Sequence, residues 1–125
     1  MNCPACKASM AILEYNGVEL DFCFSCKGCW LDAGELGLIL NGTPDRPDDL
    51  KLERASRGKR RCPRCGARML VGPAPATGVE VDACPAGHGV WLDAGELEQV
   101  ARSRGPSERA SVVASFCADV FGKTK

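Results

Sequence analysis

The sequence predicts a small α+β protein built as two copies of one unit, and three observations carry the prediction. Seven residues occur twice unchanged, Trp30-Leu31-Asp32-Ala33-Gly34-Glu35-Leu36 and Trp91-Leu92-Asp93-Ala94-Gly95-Glu96-Leu97. Ahead of each copy lie two cysteine-bearing corners, drawn from nine cysteines in 125 residues. Each unit is then only about 35 to 40 residues, a size at which an apolar core seldom suffices and a metal or disulfide makes up the difference. The choice falls on metal. The corners are Cys-x-x-Cys pairs with 16 or 18 residues between them, the spacing of zinc hooks. The cysteine count is odd, a corner that opens at Cys3 leads us to expect no secretory signal, and no apolar run is long enough to span a membrane. A reducing, cytoplasmic setting without disulfides is therefore expected.

The first unit, residues 1–42, opens with Cys3-Pro4-Ala5-Cys6, a tight corner that aims both sulfurs and some backbone N–H groups at one ion. Residues 10–15 read as a strand, Asn16-Gly17 as a type I′ turn and residues 18–22 as the partner strand. Val18, Leu20 and Phe22 fall on one face of that strand, Glu19 and Asp21 on the other. The hairpin brings the second corner, Cys23-Phe24-Ser25-Cys26, within reach of the first. Asp32 with Glu35 three positions on has capping-box spacing, so a short helix is expected over residues 33–40, stopped by Asn41-Gly42. Trp30, just ahead of the cap, is expected to be the unit's buried aromatic.

Residues 43–61 have the prolines and charges of a solvated linker. They end in a basic cluster, Arg57, Lys59, Arg60 and Arg61, with Arg64 and Arg68 beyond. The second unit, residues 62–104, repeats the plan with the corner Cys62-Pro63-Arg64-Cys65, strands over 68–71 and 79–83, and a helix over 94–103. Its hairpin tip is two residues longer, so the first corners are offset by 59 positions and everything later by 61. Aligning Trp30 with Trp91 sets Cys23 on Cys84 but Cys26 on Gly87. His88, the sole histidine, is one residue further, and Cys84-x3-His88 is acceptable ligand spacing. Cys29 aligns with Val90 and reads as apolar filling, although Cys26-x-x-Cys29 is also hook-like. Within residues 105–125 an amphipathic helix is expected from Ser107, with Val112, Val113, Phe116, Cys117, Val120 and Phe121 along one stripe. That stripe is suited to packing on the two units or to a dimer or partner contact.

The string Cys-Pro-x-Cys, hairpin, Cys-x-x-Cys-x-Gly-x-Trp-Leu-Asp-x-Gly-Glu-Leu resembles the zinc-ribbon family named after the ribbon of the general transcription factor IIB. Residues 3–36 and 62–97 carry the likeness. It implies two tandem zinc ribbons, each a β-hairpin plus a short helix, followed by the extra C-terminal helix. It also implies two structural Zn2+, one held by Cys3, Cys6, Cys23 and Cys26 and the other by Cys62, Cys65 and Cys84. The family's fourth cysteine is absent at Gly87, and His88 stands in for it.

The chain has no formal net charge. Loaded with two zinc ions on seven thiolates and one imidazole it carries about −3, which is not the overall profile of a nucleic-acid binder. Four protein ligands leave a zinc ion no open position for hydrolytic chemistry. The acid pairs Asp32/Glu35 and Asp93/Glu96 read as helix caps, so an enzyme is not expected. The expected role is a protein-interaction module for an unidentified protein partner. One alternative is a nucleic-acid-binding or transcription-associated factor, touching phosphates through Arg57, Lys59, Arg60, Arg61, Arg64 and Arg68. The other is a rubredoxin-like iron protein or a thiol redox protein using Cys29 or Cys117.

Overall fold

Val18–Phe22 alternates buried apolar and outward-facing acidic residues, whereas the first residues of each repeated heptad, within Cys29–Asp32 and Gly89–Leu92, are apolar and buried on both faces. The structure, a computed structural model, describes residues 1–15, 18–41, 52, 54–74 and 78–103. The first unit holds β1 (Ala11–Tyr15), β2 (Val18–Phe22), β3 (Cys29–Asp32) and α1 (Glu35–Asn41). The second holds β4 (Ser56–Arg61), β5 (Arg68–Pro73), β6 (Glu80–Ala83), β7 (Gly89–Leu92) and α2 (Glu96–Ser103). The Asn16-Gly17 turn, most of the linker, the second hairpin tip and the helix expected over 107–125 lie outside the described residues.

Among the described residues the seven strands form one antiparallel sheet in the order β1-β2-β3-β7-β6-β5-β4. The expected hairpins are present, with Leu13 opposite Leu20 in the first and Gly72 opposite Val81 in the second. Three features differ from the expectation of a hairpin plus helix in each unit. Trp30 and Trp91 lie inside a third strand instead of in the approach to a helix. The helices begin at Glu35 and Glu96, two residues later than expected. Residues 56–61, expected as the end of the linker, form β4 on the outer edge of β5.

The third strands also join the units. β3 pairs antiparallel with β7, setting Trp30 against Trp91, Cys29 against Leu92, Leu31 against Val90 and Asp32 against Gly89. Equivalent strands paired antiparallel are related by a local two-fold axis, here passing between the two tryptophans. A strand with only four residues has few ladder bonds of its own, so the two copies stabilise each other by completing one sheet.

Each face of the sheet has its own core. On one face Val18, Leu20, Phe22, Cys29, Leu31, Val81, Val90 and Leu92 pack with Leu36 of α1 and Leu97 and Val100 of α2. On the other, Trp30, Trp91 and Met69 pack against Cys3, Cys23, Cys62 and Cys84. Period-two alternation along β3 and β7 divides the residues in this way, sending Cys29 and Leu31 to the helix side and Trp30 to the cysteine side. Cys29 is therefore buried among apolar side chains, apart from the cysteine corners, in the position its alignment with Val90 indicated.

Candidate metal centres

Four chain corners supply the donor atoms, and each is closed by a hydrogen bond across five residues. The bonds run from the N–H of Cys3 to Ala8 O, Cys23 to Gly28 O, Cys62 to Ala67 O and Cys84 to Gly89 O, at 2.7–3.0 Å. Inside three corners the residue after the second cysteine donates back to the first: Lys7 to Cys3, Lys27 to Cys23 and Gly66 to Cys62. Those three residues have φ of 70, 67 and 77°. The left-handed turn is strained for a lysine and unstrained for a glycine.

The fourth corner turns one residue sooner. Gly87, rather than His88, donates to Cys84 O at 3.0 Å and adopts φ 82°. The tighter loop leaves His88 in the following position, and its longer side chain reaches back so that Nδ1 lies 3.3 Å from Cys84 Sγ. The closing bond from Cys84 to Gly89 matches the one from Cys23 to Gly28, so one frame accommodates Cys-x-x-Cys and Cys-x3-His alike.

These corners converge on two groups. Cys3, Cys6, Cys23 and Cys26 form one, and Cys62, Cys65, Cys84 and His88 the other, with the donor atoms of each group within 4.8 Å of one another. Adjacent sulfurs are 3.5 Å apart for Cys3 and Cys26, 3.4 Å for Cys6 and Cys23, and 3.6 Å for Cys65 and Cys84. Four ligands at about 2.3 Å from a central ion form a tetrahedron with edges of about 3.8 Å. The donor sets fit such an ion in number, chemistry and spacing.

Electrostatics point the same way. Burial pushes the Cys26 thiol up to about 12 and the Cys62 thiol up to about 11, and it raises Cys3 as well. Hydrogen bonds from backbone N–H groups and neighbouring sulfurs bring Cys23 and Cys65 down to about 7, so each group shares its protons unevenly and a cation that takes all four donors releases those that remain. Backbone N–H groups already point at the sulfurs, from Ala5 to Cys3 at 3.3 Å, Arg64 to Cys62 at 3.4 Å and Ala86 to Cys84 at 3.4 Å. The corners are thus shaped for thiolates before an ion arrives.

Between the two groups lie the tryptophans, and two glycines make room for them. A Cβ on Gly28 would stand 2.3 Å from Cζ2 of Trp91, and one on Gly89 would stand 2.7 Å from Cζ2 of Trp30. Each ring therefore sits over the other unit's glycine, a reciprocal fit across the local two-fold. The sequence carries a signal for this fit, because a glycine stands two residues before the tryptophan in both copies.

The acids of the heptad also do more than cap. Glu35 accepts from the Asp32 N–H and Glu96 from the Asp93 N–H, both at 2.6 Å, which is one half of a capping box. The aspartate carboxylates instead accept the indole N–H groups, Trp30 to Asp32 at 2.9 Å and Trp91 to Asp93 at 3.0 Å. Each aspartate also holds an arginine. Arg64, from the second unit's corner, binds Asp32 of the first with both Nε and Nη2. Its guanidinium holds the Asp32 carboxyl below the usual range. Arg60 of β4 binds both oxygens of Asp93 at 2.6 and 2.7 Å and lies 3.7 Å from Asp82.

Two segments, residues 2–42 and 61–103, match the family model described as transcription factor zinc-finger, and together they span more than half of the chain. The chain belongs to that family. No curated protein and no solved structure matches it. The two matched segments are the two units, so this transcription factor zinc-finger chain is a tandem repeat, with one four-donor group in each copy. Among the described residues no helix is long and apolar enough to cross a membrane.

Proposed function

We propose that the protein binds two structural zinc ions and that the body they stabilise is a non-enzymatic protein-interaction module. The observation behind this reading is that each group brings together four protein donors, enough to saturate a tetrahedral ion and leave no position for a substrate or water. Zinc is favoured over iron because the second group mixes three thiols with one imidazole, a common structural zinc set. Both ions would sit beside the tryptophan core that joins the units, where they substitute for apolar volume a chain of this size lacks.

Nucleic-acid binding receives less support. Four of the six basic residues considered for it are engaged internally. Arg60 and Arg64 are paired with carboxylates, while Arg61 donates to Gly66 O at 3.0 Å and Arg68 to Gly58 O at 3.1 Å. Elemental analysis of protein purified without added metal tests the reading, with two zinc ions and no iron per chain as the expected result. Titration against DNA and RNA pools at rising salt tests the alternative. Binding that weakens steeply with salt would favour phosphate contacts over the interaction module.

A further inference from the structure

The local two-fold relates the two ends of the β3–β7 ribbon, and the two ends differ. At the end beside the second metal group the ladder runs as far as Asp32 opposite Gly89. The counterpart of that pair would be Gly28 opposite Asp93, and the ladder stops one residue short of it. Beyond Asp32 the Ala33 N–H donates to the carbonyl oxygen of His88 at 3.0 Å. Its counterpart, from the Ala94 N–H to Lys27 O, is absent among the described residues. Gly89, next after His88, comes so close to β3 that a Cβ there would stand 2.2 Å from Leu31 O, whereas one on Gly28 would stand 2.9 Å from Leu92 O.

Side chains carry the same asymmetry. Arg64 lies inside the corner that supplies Cys62 and Cys65, and its N–H donates to Cys62 Sγ at 3.4 Å. Its guanidinium crosses to the first unit, with Nη2 2.6 Å from Oδ2 of Asp32. Asp32 is fixed in turn by the Trp30 indole N–H at 2.9 Å. At the place of Arg64 in the first corner stands Ala5, which has no side chain able to reach Asp93, and Asp93 takes Arg60 from its own unit. Two neighbouring residues of the first unit, Asp32 and Ala33, thus hold both corners of the second metal group, one through Arg64 and the other through His88. Among the described residues Asp93 and Ala94 make no such bonds to the corners of the first. Donors held in place before an ion arrives lose less freedom on binding it, and the difference appears as affinity.

We infer that Asp32 and Ala33 position the donors of the second metal group, so that this site reaches its full zinc affinity only when the first unit is folded around its own ion. The two sites are then coupled, and each raises the affinity of the other by one shared factor. This rests on the reading of both groups as structural zinc sites and adds the dependence of one on the other.

The test uses the full chain, with zinc counted by native mass spectrometry under chelator competition. Co2+ serves as a second probe, because its absorption distinguishes four thiolates from three thiolates and an imidazole. Cys26→Ser, which breaks the first group, should weaken binding at the intact second group about fivefold or more. Arg64→Ala keeps the N–H that faces Cys62 and removes the guanidinium, so in the otherwise intact protein it should weaken the second site about two- to fivefold. In the Cys26→Ser background the same substitution should change nothing further, because its partner is already displaced. Asp32→Asn keeps an acceptor for the Trp30 indole and should lose a factor similar to Arg64→Ala, and the two together should lose no more than either alone. Equal affinity of the second group with and without the first would overturn the inference. So would an Arg64→Ala loss of the same size in both backgrounds, which would place its effect inside the second corner. If Cys26→Ser abolishes binding at the second group, the Asp32–Arg64 pair is judged by the double variant, where additive losses overturn its role. Metal content at saturating zinc separates the two levels. Two ions per chain at independent sites removes the coupling alone, whereas fewer than two removes the zinc reading beneath it.

Discussion

Adding a single methyl group at Gly28 or Gly89 should loosen the joint between the two units while leaving all eight donor side chains in the protein. At Gly28 the new carbon would lie 2.3 and 2.8 Å from two ring atoms of Trp91 and 2.9 Å from the Leu92 carbonyl oxygen. Carbon atoms pack at about 3.5–4.0 Å, so the ring would have to retreat by more than about 1 Å. Trp91 is fully buried between the cysteine corners and has nowhere to go. Overpacking of this kind costs about 1–3 kcal/mol, and Gly28→Ala belongs toward the upper end. Gly89→Ala should cost more, because its carbon would meet the Leu31 carbonyl oxygen at 2.2 Å and Asp32 Cα at 3.0 Å. Backbone atoms cannot rotate aside, so β3 and β7 would have to separate. For a domain of about 100 residues, 2 kcal/mol corresponds to a fall in Tm of about 10 °C. The assay is thermal unfolding followed by tryptophan fluorescence at fixed free zinc, with zinc content measured alongside. Gly66→Ala is the control, since its site is open and only the left-handed backbone is strained, at about 1 kcal/mol. In a Trp91→Leu background Gly28→Ala should cost at least about 1 kcal/mol less, as expected for residues in direct contact. A Gly28→Ala protein that holds two zinc ions and melts with the wild type would refute the claim that interlocked rings and glycines join the units.

The two arginine–aspartate pairs should differ in worth. Arg60→Ala leaves Asp82, only 6% exposed, without its cation and should cost about 1–3 kcal/mol in urea unfolding of the zinc-loaded protein. Arg64→Ala breaks a more exposed pair and should cost less than about 1 kcal/mol; equal losses would contradict this ranking. Cys65→Ser should unfold the second unit, because it forfeits part of a metal-coupled folding energy of about 10 kcal/mol or more, whereas Cys29→Ser should be mild. Measured zinc content of about one and two per chain, respectively, checks the assignment, and His88→Ala should lower zinc retention at the second site under chelator competition. Burial lifts the Glu96 carboxyl to about 7 from an ordinary 4.5. A raised acid stabilises the fold fully below the ordinary value and loses that contribution as pH rises through about 7. Glu96→Gln keeps an acceptor for the Asp93 N–H and removes the ionisation, so it should flatten the decline in stability between pH 5 and 8 relative to wild type. An unchanged pH profile would show that Glu96 ionises at no cost.

What the sequence alone determined is local in chain distance. Cys-x-x-Cys spacing, the alternation from Val18 to Phe22 and the Asp-x-x-Glu pairs relate residues a few positions apart, and backbone geometry converts such patterns directly into corners, strands and helix starts. His88 was legible for the same reason, since it lies four residues from Cys84 and beside a gap in the repeat. The partners of Asp32 and Asp93 were not legible. Nothing near either residue in the chain says that one receives Arg64 from the opposite unit and the other Arg60 from β4. The same holds for β3 against β7. Four-residue strands are too short for periodicity to show which edge they seek, and an identical heptad states that two units are alike without stating that they touch. Only the tertiary structure, by bringing two buried tryptophans onto each other's glycines, made one sheet from two repeats, because steric fit across a two-fold is a property of surfaces that meet in space rather than of residues that follow one another in the chain.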